Sequence, residues 1–581
     1  MSRIDIPVAN CDGKEYVLFP ACAYNGNKFD VLKKDYPPKF LPEEASVDMD
    51  IVITDVPRLE KDGSGKIQVT TGDVSTPCVG VFVEKEKKAT FVYTIQEIDG
   101  ENIGLGYEMG KISLTYPALR EEIYRWPHMH KNTAPYCDKE VEIPYKVVEA
   151  ECASIEEFFA LYFKNRKIMG MDDTRPVVLS DEEQFEIQRD KFNNMGWTGE
   201  YYDLDGKGQW QPGWCGGGIS SYALMKLGGP LERERAIKTL KFMYDNQAPS
   251  GLLYGSINQR GDMPYLYDGE KAVLVRKSGD ALYFTIKHFE LMTKEEITDE
   301  LYQRTKKLAD RFVTIWETYG QFGQFLGCDT GRIIAGNSTS GAIVPAALVY
   351  AYRFFGEEKY LEVAKASAEM MMQRDALKGY TTGGPGEILQ GPDSESAGAL
   401  LESVVALYET TKEEKWLEYA KFMVHLVSSW TVSYNYKFIP ESEFYKLDMK
   451  TIGSVFANVQ NKHSAPGFCT LSGVSLYKVY RWTGNEMYKE LYEDVTRTVS
   501  QYMSTEARPI YSWDVPKDAS LLNDDSLRAE PEKLPSGFIC ERVNMSDWES
   551  RRCIGGVFNG SCWCESTNLL ILAEKEIEQK M

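Results

Sequence analysis

The 581-residue sequence predicts a multidomain α and β protein, an N-terminal antiparallel β-sandwich followed by an (α/α)6 toroid of six helical hairpins. Three observations predict it. Short apolar alternations fill residues 1–150. Beyond about residue 215, a polar, aromatic-rich loop leads six times into a helix that opens on small residues. Amphipathic helices with charged stripes alternate with these six, and a repeated helical hairpin is the mark of a stacked or closed array.

The first stretch carries MDIVITDV, KIQVTTG, CVGVFVEK, ATFVYTIQEI and KVVEAEC, separated by Gly, Asp, Asn and Pro turns. Period-two alternation without intervening helices reads as antiparallel sheets. Asn25-Gly26 marks a tight turn. The pattern changes at Ser154, where SIEEFFALYFKNRKIM puts apolar residues at helical spacing behind a Ser cap and acids. Residues 151–180 read as a linker helix and connector, and 181–581 as the toroid.

The inner helices open at GGGISSYALMKLG (Gly216), SGDALYFTIKHF (Ser278), SGAIVPAALVYAYRFFG (Ser340), ESAGALLESVVALYETT (Glu395), CTLSGVSLYKVYRWTG (Cys469) and SCWCESTNLLILAEK (Ser561). Their Ala, Gly, Ser and Leu suit burial on several sides. The outer helices, near 182–195, 231–246, 296–319, 357–373, 412–429 and 485–503, carry one solvated face. Antiparallel hairpins bring all outer-to-inner loops to one end, where function is expected.

A formal charge of −21 excludes nucleic acid and anionic membrane as partners, since both require a cationic surface. No apolar run has the length of a signal peptide or a membrane helix, so a cytoplasmic location is expected. The twelve cysteines are expected to be free thiols. Only Cys540, Cys553, Cys562 and Cys564 cluster, and their C-x8-C-x-C spacing is not the usual zinc knuckle. No phosphate-binding loop, H-E-x-x-H or dinucleotide fingerprint is present. No cofactor and no metal are expected.

The loops are alike in character. The first holds Trp197, Tyr202, Trp210 and Trp214; the second Asn258, Gln259, Arg276, Lys277 and Asp280; the third Asp329, Arg332 and Asn337. The fourth offers Glu387, Asp393 and Glu395, the fifth Gln460 and His463, and the sixth Trp563 and Glu565. Pyranose C–H faces pack on aromatic rings, while sugar hydroxyls require paired donors and acceptors. Trp197, Tyr202, Trp210, Trp214, Asn258, Gln259, Arg276, Asp329, Asn337, Gln460, His463, Trp563 and Glu565 are therefore the expected substrate-binding set. His128 and His130 share one side of an extended segment, which permits metal binding without requiring it.

On the helical repeat and these loops, residues 180–581 resemble the six-hairpin glycosidase superfamily, and a preceding β-sandwich is an arrangement found among its members. The resemblance implies a carbohydrate substrate and cleavage of glycosidic bonds in a central funnel; no catalytic residue transfers by motif. One of its families has a zinc–thiolate site with a cysteine nucleophile. Glycosidic cleavage needs two carboxyl groups, one of them protonated near neutral pH. Asp280, opening an inner helix, is the first expectation for the acid. Asp393 and Glu395, at the mouth of the fourth inner helix, complete the expected catalytic set, with Asp329, Glu387 and Glu565 weaker. Arg276, Lys277, Arg332 and His463 would suit a uronide carboxylate. A polysaccharide lyase acting on uronates and a non-catalytic carbohydrate-binding protein are the alternatives.

Overall fold

The computed structural model describes residues 2–35, 37–119, 140–203, 218–257, 267–512, 530–547, 553–557 and 563–580. The expected Trp210, Trp214, Asn258, Gln259, His128 and His130 lie outside them. The first strands are β1 (Ser2–Pro7), β2 (Tyr16–Leu18), β3 (Asp30–Val31), β4 (Val52–Ile53), β5 (Lys66–Thr70), β6 (Cys78–Val83), β7 (Lys88–Thr94), β8 (Glu97–Ile98), β9 (Glu101–Asn102), β10 (Gly104–Glu108), β11 (Lys111–Tyr116) and β12 (Tyr145–Glu151). Two four-stranded antiparallel sheets form, in the orders β1-β11-β10-β5 and β12-β7-β6-β2.

The composition of β6 explains how the sheets are placed. Its run CVGVFV is buried throughout. Val79, Val81 and Val83 join Ile67, Leu105, Ile112 and Leu114 of the other sheet in one apolar cluster, while Cys78 and Phe82 belong to the cluster shared with the helices. A strand buried on both faces reads as a continuous apolar run. Phe91 of β7 likewise turns toward the helices and stacks on Phe158, centroids 4.6 Å apart.

Phe158 lies on α1 (Ile155–Asn165), which starts where Ser154 accepts from the Glu157 amide. The helix wedges between the second sheet and the ring, with Phe159 against Phe422 at 6.2 Å. Tyr24 stacks on Trp430 at 4.4 Å and shares a 2.8 Å hydrogen bond with Ser429. The third loop closes against the same N-terminal part at Gly336. A Cβ there would lie 1.7 Å from the Val47 carbonyl oxygen, so only glycine permits the approach.

Helices α2 (Asp181–Lys191), α4 (Pro230–Asp245), α6 (Asp299–Tyr319), α8 (Glu358–Arg374), α10 (Glu414–Ser428) and α13 (Glu486–Arg497) form the outer layer. Their partners are α3 (Ile219–Leu227), α5 (Val275–Phe289), α7 (Val344–Phe355), α9 (Ser394–Thr411), α12 (Val474–Thr483) and α14 (Trp563–Glu574); a short α11 (Glu443–Lys446) precedes α12. Along the inner layer α3 packs on α5, α5 on α7, α7 on α9, α9 on α12, and α14 returns to α3. The last seam closes where the Thr470 amide, just before α12, donates to Thr567 Oγ1 of α14 at 3.3 Å. The chain therefore forms a closed ring of six helical hairpins, not an open superhelix. No helix among the described residues is long and apolar enough to cross a membrane.

Candidate active site at the ring mouth

The N-termini of the inner helices converge, because every hairpin runs outer helix first. Arg276, in the first turn of α5, shows how closely. It forms an ion pair with Glu395 in the first turn of α9, and its Nε lies 3.5 Å from Asp280 Oδ2 one turn along α5. Its Nη2 donates to the Cys469 carbonyl at 3.1 Å and to Thr470 Oγ1 at 2.8 Å. The Thr470 hydroxyl then donates to Asp280 Oδ2 at 3.4 Å. Three stretches of chain thus meet around one guanidinium whose planar fork suits carboxylate partners. Helix N-termini carry partial positive charge, which further favours carboxylates at this end.

Asp280 and Arg276 are sealed in, at 1% and 0% exposure. Burial pushes the Asp280 carboxyl up to about 6, with Arg276 and Thr470 pulling it back. Asp280 thus lies sealed beneath the inner-helix N-termini, in contact with Arg276 and Thr470. Asp393 is the N-cap of α9, accepting from the Ser396 amide at 2.7 Å, the Ser396 hydroxyl at 2.7 Å and the Gly384 amide at 3.0 Å. With no exposed surface, it too is pushed by burial to about 6, against those hydrogen bonds. Gly384 is needed here, since a Cβ would lie 2.2 Å from Asp393 Oδ1. The geometry gives Asp393 capping work.

Glu395 and Glu387 are less buried than these two, both being intermediate in exposure, with the Glu395 side chain at 9%. Burial pushes Glu387 up to about 7, with Lys277 pulling down and Glu541 and Asp393 pushing up. A carboxyl protonated near neutrality with some access has the attributes of a general acid. Glu541 adjoins Trp563, whose Nε1 donates to its Oε1 at 3.4 Å. Neither Glu541 nor the full weight of Glu387 is evident from sequence. Glu541 sits in FICERV, well ahead of the inner helix that opens the sixth repeat, and its charged pair with Arg542 after an apolar triplet is the only local signal.

The remaining expected residues are placed elsewhere or otherwise engaged. Trp197 and Tyr202 pair across a short bridge and pack against α4, with Arg235 over Trp197 at 4.8 Å. Tyr202 is fully buried and donates to Asn193 Oδ1 at 2.8 Å. Asp329 and Arg332 are exposed in the turn between two short strands, Phe325–Gly327 and Ile333–Ala335, and Arg332 pairs with Glu270. Asn337 donates to the Met49 carbonyl at 2.9 Å, and Gln460 accepts from Thr54, so both serve the junction with the N-terminal part. Glu565 is buried against Lys191 of α2 at 2.5 Å. His463 is buried and held well below the usual histidine range, first by burial and then by Arg542. Burial and neighbouring acids keep Cys564 a thiol, which removes the thiolate a nucleophilic cysteine requires. Among the described residues, no group of three or more His, Cys, Asp or Glu is placed to hold a metal ion.

The ring axis below the mouth is filled. Arg276, Asp280, Tyr283 and Lys287 form one stripe of α5. Tyr283 donates to Glu402 Oε1 at 2.5 Å, and Ser475 donates to the other oxygen of Glu402. At the helix C-termini Lys287 pairs with Glu574 and Lys478 with Glu409. Lys287 and Lys478 near these C-termini complement the helix dipoles there. Among the described residues, the ring axis below the inner-helix N-termini is packed.

No family model matches the chain, and no curated protein matches it. Among solved structures the chain is similar to a D-mannose isomerase at 10% identity, covering 68% of this chain and 97% of that one, TM-score 0.44. It is similar to cellobiose 2-epimerase from Spirochaeta thermophila at 11% identity, covering 69% and 97%, TM-score 0.43. It is also similar to a glycoside hydrolase family 76 mannosidase from Bacteroides thetaiotaomicron at 12% identity, covering 69% and 99%, TM-score 0.42.

Proposed function

We propose that this protein is a glycoside hydrolase whose active site is the ring mouth, served by a catalytic ring over 181–581 with the β layers of 1–150 and the linker 151–180 packed against it. Glu387 is the general acid that protonates the leaving oxygen. Glu395, ion-paired with Arg276, is the carboxylate that attacks the anomeric carbon or activates water against it. Asp280 and Thr470 position Arg276, and Trp563 offers a ring face beside Glu541. The observation that carries the reading is the Arg276 clamp, which fixes the Glu395 carboxylate from a remote stretch of chain where the inner-helix N-termini converge.

The test is a panel of neutral glycosides with wild type and Glu387→Gln. Removing a general acid is expected to cost about 10²–10⁴-fold in kcat for a sugar leaving group. The loss should be smaller for nitrophenyl glycosides, whose leaving group departs without protonation. Equal losses on both substrate types, or none, would remove Glu387 from the role.

A further inference from the structure

We infer that a strap of the N-terminal part, residues 46–54, is a working part of the active site: through Gln390, a positioning residue, it fixes the turn that carries Glu387. The inference deepens the glycoside hydrolase reading and rests on it for the role of Glu387. That glutamate stands in the middle of one 3-10 turn, Gly386–Ile388. An isolated turn of this kind does not hold its own shape, because its few hydrogen bonds do not repay the ordering of the chain. The residue that follows, Leu389, has φ 55° and ψ −122°. Residues other than glycine rarely enter that region, and they stay in it only where the surroundings impose it.

The strap supplies those surroundings. Its strand β4 pairs with β3 along one edge, and along the other Ile53 bridges Leu389. The Gln390 amide donates to the Val52 carbonyl at 2.9 Å, and the Val52 amide donates to Gln390 Oε1 at 3.1 Å. Gln390 Nε2 donates to the Gly336 carbonyl at 2.5 Å, while the Gly336 amide donates to the Ser46 carbonyl at 2.9 Å. One side chain thus ties the fourth loop to both ends of the strap. The Leu389 side chain is buried in a small apolar cluster with Phe40 and Met49 of the N-terminal part and with Leu274 and Phe325 of the ring. Leu274 is the N-cap of α5, two residues before Arg276, so the same cluster underlies both candidate elements. Gln390 itself is 0% exposed and three residues from Glu387, so its route to a substrate runs through that turn.

The experiment is Gln390→Leu in the full chain, which removes both side-chain hydrogen bonds at similar volume, made alone and together with Glu387→Gln. On a glycoside with a sugar leaving group, assayed below the unfolding transition, kcat is expected to fall about 10-fold or more with KM within about twofold. In the double variant Gln390→Leu should cost nothing beyond Glu387→Gln alone, since the contact acts through residue 387. An unchanged kcat in the single variant, or a loss that is as large once residue 387 is glutamine, overturns the inference. Leu389→Gly covers the case in which Gln390→Leu does not fold: glycine takes this backbone without strain, and the change withdraws a side chain from Phe40 and Met49. The same split between kcat and KM is expected there, and wild-type kcat overturns the inference. Amide hydrogen exchange over residues 386–391 reads the contact without turnover, and in either variant it should quicken about 10-fold or more. Unchanged exchange overturns the inference. A wild type that cleaves no glycoside defeats the hydrolase reading, and the exchange result still decides whether the strap fixes the turn.

Discussion

Arg276 and Glu395 join the first turn of α5 to the first turn of α9, two helices that are not neighbours in the ring. Their pairing spans the mouth and sits directly over Asp280. A buried pair broken on one side leaves an uncompensated charge, at a cost of about 3–5 kcal/mol. Arg276→Met is therefore expected to destabilise the protein by about that amount in urea unfolding, and to abolish turnover. A variant as stable as wild type would show that the clamp is incidental.

The pH dependence of catalysis follows from Glu387. As the acid it must hold its proton, and with its carboxyl at about 7, kcat/KM should fall as pH rises through neutrality. A pH–rate profile flat from 6 to 9 would contradict the assignment.

Stability should respond to pH in the opposite sense through two histidines. His288 is buried, His425 is half-buried, and both are held at about 4, chiefly by desolvation. The unfolded chain binds protons at these positions below about 6.5 while the folded chain does not, so stability is present above 6.5 and lost as pH falls toward 4. The loss is about 3 kcal/mol for each. Asp280 and Asp393, raised to about 6, work against it, their contribution being present below about 3.9 and lost as pH rises through 6. The histidine part is isolated by comparing wild type with His288→Gln, whose unfolding free energy should fall less steeply between pH 6.5 and 4.5.

Glu565 separates structural from substrate roles. Its buried pair with Lys191 ties α14 to α2 across the closing seam of the ring. Glu565→Gln should lower the unfolding free energy by about 3–5 kcal/mol and leave KM within about twofold when assayed below the unfolding transition. A large change in KM without loss of stability would restore it to the binding set.

Much of the scaffold was legible, and the reason is periodicity. The outer and inner helices begin and end within a few residues of the expected ranges, because charged stripes and small-residue openings recur six times. Asp280 and Glu395 could be placed at one end in advance because each opens an inner helix, and parallel inner helices share one end; Arg276, expected in the loop before Ser278, lies in the first turn of α5. Residues in the loops proper were not legible. Trp197 and Tyr202 read as a sugar platform from composition, yet Arg235 and Asn193, more than thirty residues downstream and a few upstream of them, use both rings structurally. Asn337 and Gln460 were claimed by Met49 and Thr54, from a part of the chain that the loops themselves give no hint of meeting. The work of Asp393 turned on which carboxylates the fold leaves accessible, a tertiary property.

The most direct test is the position of a neutral disaccharide bound to Glu387→Gln, determined by crystallography. The account places the glycosidic oxygen within hydrogen-bonding distance of residue 387, with the Glu395 carboxylate facing the anomeric carbon. A sugar seated instead in the cavity of about 790 Å³ lined by Gln96, Tyr436, Phe438 and Tyr445, with the mouth empty, would contradict it.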